Sequence, residues 1–145
     1  MNIDIWFLLI FILFWILGPF SQLVQLIAPN FHKKIGFMEE KTFEPQYKWF
    51  YLEEKAIAIA DMSFLIAGII FVIGSLLKTG WTIPFGIFVC TVYIYFGIMS
   101  IMRWILLGKN NLSPVSKKQL PVYVIYMLLF VIFGFFGLFY LWSKV

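Results

Sequence analysis

Four apolar runs separated by shorter polar stretches dominate the chain, at residues 3–28, 56–77, 81–107 and 120–141. A helix rises about 1.5 Å per residue, so a run of this length covers roughly 30 Å, the thickness of bilayer hydrocarbon. A soluble bundle would need a charged face on every helix, and the second, third and fourth runs have none. The pattern predicts an all-α fold: an integral membrane, up-down bundle of four transmembrane helices. No internal repeat divides residues 1–145, which read as one domain with a cytoplasmic loop at 29–55 that includes an interfacial helix.

Local signals refine each run. Gly18-Pro19 predicts a kink or a loosened turn in the first helix, with the alternative that the span ends there and residues 20–28 form a separate interfacial turn. Pro45 suits the first turn of a helix running through Trp49, Phe50 and Tyr51 at headgroup level. Lys78-Thr79-Gly80 is short enough to make the second and third runs an antiparallel hairpin, and Pro84 falls in the first turn of the third. The first run is too long and aromatic for a signal peptide, and it lacks a basic leader and a cleavage motif.

Composition strengthens this reading. Hydrophobic residues are 63% and charged residues 12% of the sequence, against about 45–50% and 25% in soluble domains. The single Cys90 sits within an apolar run, where it reads as a small packing residue. Of 11 Lys and Arg, nine lie in or beside the loops that follow the first and third runs: Lys33, Lys34, Lys41, Lys48, Lys55, Arg103, Lys109, Lys117 and Lys118. Only Lys78 and Lys144 lie on the other side. The positive-inside rule therefore places the lysine-rich loops in the cytoplasm and both termini outside.

Asp61 is the most informative residue, a carboxylate about five residues into the second apolar run and costly there unless paired, hydrated or protonated. Glu54 shares its face at i, i+7. Arg103, near the end of the third run, is the expected partner of Asp61 on the adjacent helix. Gln22, Gln25 and Ser100 fall in the same slab. The expected polar cluster is Gln22, Gln25, Glu54, Asp61, Ser100 and Arg103, open toward the cytoplasm. It reads either as a structural clamp or as a site for a ligand, proton or ion.

Tyr93, Gly97, Ser100 and Trp104 form a stripe on the third run, and Tyr123, Tyr126, Phe130, Phe133, Gly134 and Gly137 lie near one side of the fourth. Helix packing explains such stripes, and a cavity for a flat or long apolar molecule would use the same residues, with Tyr93, Trp104 and Tyr126 as its apolar lining. His32, beside Lys33 and Lys34, reads as a surface residue, although Glu39 or Glu40 could join it in an acid–base or metal group. No metal motif, phosphate loop, CxxC pair or nucleophile elbow is present, so no metal or cofactor is expected.

The leading expectation is a small multi-pass protein that binds or translocates a hydrophobic or amphiphilic molecule. The alternatives are an accessory or structural subunit of a membrane complex and, third, a lipid-modifying enzyme using Glu54 or Asp61 as acid or base. The expected partners are membrane lipid, a hydrophobic small molecule, and a homo-oligomer or larger membrane complex, with no nucleic acid.

Overall fold

The computed structural model describes residues 3–35 and 40–145. It is all-helical, with no strand among the described residues. Helix α1 is Ile5–Ile27, the short α2 is Pro29–Lys34, α3 is Pro45–Leu76, α4 is Gly80–Lys109 and α5 is Leu120–Trp142. All but α2 are long and apolar enough to cross a membrane, making four candidate transmembrane helices.

Pro19 cannot donate a backbone hydrogen bond, and its ring crowds the preceding turn. The chain answers by widening to a π turn over Ile16–Phe20 and then resuming as α-helix through Ile27. Gly18-Pro19 thus loosens α1 without ending it. The disturbed carbonyls find other donors. The Ser21 hydroxyl lies 2.7 Å from both the Leu17 and Gly18 oxygens, and the Tyr126 hydroxyl donates to Leu17 O at 2.7 Å.

Helix α3 begins at Pro45, ahead of the apolar run, as the position of that proline before Trp49, Phe50 and Tyr51 predicts. Pro45 opens a 3₁₀ turn at Pro45–Tyr47, and α-helix follows from Lys48. The polar stretch Lys48–Lys55 is therefore continuous with the apolar part, anchored by the buried ring of Phe50. At Asp61 the helix is interrupted for one residue, yet backbone bonding runs on, from Asp61 N to Ile57 O (2.9 Å) and from Leu65 N to Asp61 O (3.0 Å). A tight connection then returns the chain into α4. Lys78 takes a left-handed backbone (φ 58°), and Thr79 caps Gly74 O through both its amide and its hydroxyl.

The most extensive helix pairing is α4 with α5, followed by α3 with α4. Close approach in the first pair depends on Gly97 and Gly134. A Cβ on Gly134 would stand 2.7 Å from the backbone oxygen of Cys90, and one on Gly97 would stand 3.0 Å from Met127 O. The interior is largely aromatic: Phe7, Phe11, Phe71 and Phe133 are buried together, and Phe14 stacks on Phe133 at 4.2 Å with planes 5° apart. Outward faces are apolar as well. Leu9 and Leu13 on α1, Ile66 and Ile73 on α3, Ile98 and Met102 on α4, and Ile125 and Ile132 on α5 are all exposed.

At the end of the molecule where α1 starts and α5 finishes, Asp4 and Tyr140 make a reciprocal pair. The Asp4 amide donates to the Tyr140 hydroxyl (2.8 Å), which donates to Asp4 Oδ2 (2.6 Å); Lys144 Nζ reaches the same oxygen at 3.3 Å. The Tyr140 hydroxyl and then Lys144 hold the Asp4 carboxyl below its usual pKa, and Asp4 in turn raises that of Lys144.

Candidate functional site: a cavity with unsatisfied polar walls

A cavity of about 370 Å³ lies at the opposite end, where α1 finishes, α3 and α5 begin and α4 finishes. Its lining includes Gln22 and Gln25 from α1, Glu54 and Asp61 from α3, Tyr93, Ser100, Arg103 and Trp104 from α4, and Tyr126 from α5. The six expected polar residues and three expected aromatic residues therefore face one space. Helical periodicity explains this convergence: on α4, residues 93, 97, 100 and 104 repeat every three to four positions and are all buried.

The expected Asp61–Arg103 pair does not form. Arg103 Nη2 meets Glu53 Oε2 at 2.7 Å, Nη1 pairs with Glu54 Oε1, and the guanidinium lies over the Phe50 ring at 4.4 Å. The reason is reach. Asp61 is two helical turns beyond Glu54, about 10 Å further along α3, whereas a long cationic side chain near a helix end extends toward the polar end. The two glutamates stand there. Asp61 is left 4% exposed with no hydrogen-bond or ion-pair partner among the described residues, within electrostatic range of Glu54 and Tyr93.

Other polar atoms on the wall are likewise unmatched. Tyr93 Oη, Gln22 Oε1 and Gln25 Nε2 are buried without a hydrogen-bond partner. Buried polar groups in folded proteins are overwhelmingly satisfied, so three orphans around one space are a property of the site and not of the fold at large.

The loops supply lining that the helical pattern did not predict. His32 on α2, Thr42 from the 3₁₀ turn at Glu40–Phe43, Val115 and Gln119 all contribute. His32 was expected on the surface and is instead 3% exposed, because α2 folds back beneath α1 and turns the ring inward; burial lowers its pKa from the usual 6.5. Of its two proposed neighbours, Glu39 lies outside the described residues, and so does the side chain of Glu40. Val115 joins Phe50 and Trp104 in a small second core that closes this end. The cavity meets the outside at the start of α5, where Val122 both lines it and is 64% exposed.

No protein-family description, curated protein or solved structure matches the chain. The class defined by fold and site is accordingly an all-helical protein with four candidate transmembrane helices around a partly polar cavity.

Proposed function

We propose that the chain is an integral membrane protein whose four long helices run up and down as a bundle, and that it binds an amphiphilic small molecule in the cavity. In this reading the lysine-rich loops are cytoplasmic and both termini are outside, as the distribution of Lys and Arg favours. The apolar side chains exposed on every long helix support immersion in lipid, since in water they would form large contiguous patches.

The observation that carries the binding proposal is the set of orphaned polar atoms, Tyr93 Oη, Gln22 Oε1 and Gln25 Nε2, on a wall that also carries many aromatic and aliphatic side chains. A structural clamp uses up its hydrogen-bonding groups, whereas a ligand site keeps some in reserve. The volume of about 370 Å³ is at the lower end of the range for small-molecule sites, which suits one chain or ring system more than a two-chain lipid.

Native mass spectrometry of protein purified in mild detergent tests this directly. The expected result is a retained amphiphile that the Tyr93→Phe, Gln25→Leu double variant loses while its thermal midpoint holds or rises, because the unmatched groups are removed. Retention of the same mass by the variant would count against the cavity as its location. The accessory-subunit reading draws on a different surface, the exposed Phe135, Phe136, Phe139 and Trp142 of α5. It is favoured if the purified protein carries no small molecule and elutes with a second polypeptide.

A further inference from the structure

We propose that the polar end of the cavity's occupant is a protonated amine seated on Asp61, an inference that rests on the binding proposal above. It follows from charge balance along the wall. Arg103 is the only Lys or Arg among the described lining residues. Each of its terminal nitrogens meets a carboxylate, Glu53 or Glu54, so two acidic side chains already surround the one cation, and its face covers Phe50. An anionic head group would be repelled by those two carboxylates and would then face Asp61 as well. Burial biases the His32 imidazole toward its neutral form.

Asp61 is the mirror image of that situation. It is buried, borders the cavity and has no cation or hydrogen-bond donor among the described residues. A carboxylate in such surroundings is stabilised most by a partner that brings both opposite charge and N–H donors, and an ammonium brings up to three. Two further acceptors are unoccupied on the same wall, Tyr93 Oη, which is within electrostatic range of Asp61, and Gln22 Oε1. The remaining lining is rich in rings such as Phe64 and Phe130, whose faces attract a cation while their bulk packs an apolar chain. A neutral alcohol would leave Asp61 without a counter-ion.

The test uses the full chain in phosphatidylcholine nanodiscs at pH 7 with three probes of equal chain length: dodecylamine, dodecanol and dodecanoate. Affinity is read by titration calorimetry and by the thermal midpoint, each corrected with empty nanodiscs. Dodecylamine is expected to bind about tenfold or more tighter than either other probe, the equivalent of at least about 1.4 kcal/mol. Asp61→Asn should lower amine affinity by a similar factor and leave dodecanol within about twofold, while Asp61→Glu keeps the amine preference. Equal binding of amine and alcohol, or tighter binding of dodecanoate, overturns the charge assignment and leaves the cavity reading standing. Absence of binding by all three probes overturns both. The comparison among probes on the unaltered chain stands even if Asp61→Asn does not fold.

Discussion

At the level of single residues, the arginine between two glutamates is the interaction with the clearest energetic consequence. An exposed ion pair contributes about 0–1 kcal/mol, whereas stranding one member of a buried pair costs about 3–5 kcal/mol. The Arg103 and Glu54 side chains are 15% and 20% exposed and Glu53 is 48% exposed, so the arrangement falls between these limits. Arg103→Met is therefore expected to lower stability in detergent by about 2–3 kcal/mol, read from chemical unfolding. Adding Glu54→Gln should recover most of that loss, whereas adding Asp61→Asn should not. The sequence made the need for a partner visible, because an arginine and carboxylates share one end of a hairpin. It did not reveal which carboxylate wins, since that depends on side-chain reach along the helix axis and not on periodicity. His32 supplies a second test. The unfolded chain takes a proton on this ring near pH 6.5 and the folded protein only at lower pH. Between those values the unfolded state holds more protons, so stability present above pH 6.5 is lost as the pH falls. The thermal midpoint of wild-type protein should drop below that of His32→Asn as the pH is lowered from 7.5 to 5.5, and parallel curves would contradict this role for burial.

Among the elements, α4 and α5 form the tightest seam. A bulky side chain at Gly134 would have to push against the backbone of α4 near Cys90, which has no rotamer to yield. Overpacking of this kind costs about 1–3 kcal/mol, so Gly134→Leu should reduce stability by about that amount, while Leu at the open position Gly80 should have little effect. Across the α1–α5 contact, Tyr126→Phe removes the hydroxyl that serves Leu17 O. The Ser21 hydroxyl remains on the same carbonyl, and interhelical hydrogen bonds in membrane proteins average about 0.6 kcal/mol, so the measured loss should be near that value. Helices themselves were legible because apolar runs of this length have few alternatives in lipid. One of their ends was legible too: Pro45 marked the start of α3 ahead of the apolar run at residue 56, and the burial of Phe50 holds the polar turns between them. The π turn around Pro19 was foreseeable as a disturbance, but its form depends on donors from Ser21 and Tyr126.

For the molecule as a whole, the proposed arrangement across a bilayer is open to a clean experiment. Cys90 is fully buried, so a thiol reagent applied to the natural chain meets little background. With one cysteine introduced at a time, Ser143→Cys should react with an impermeant maleimide in intact cells, and Lys117→Cys only after the membrane is permeabilised. The reverse pattern would invert the proposed orientation. At this scale the sequence was informative about which residues gather at one end, since helix period and span order suffice for that. It was silent on how the loops close over them: the packing of Val115 and Thr42 follows no repeat, and chain pattern carries no signal for a contact between irregular segments.

Asp4 and Tyr140 touch through two hydrogen bonds, so positions far apart in the chain are neighbours in space. A short glycine bridge from residue 145 to residue 3 could thus make the polypeptide circular without moving a helix. Opening such a ring between Asn110 and Ser116 would give a permuted protein with its new ends on the face now occupied by the lysine-rich loops. Tags or reporters could then be attached at the end of the molecule opposite the one where Asp4 and Tyr140 meet.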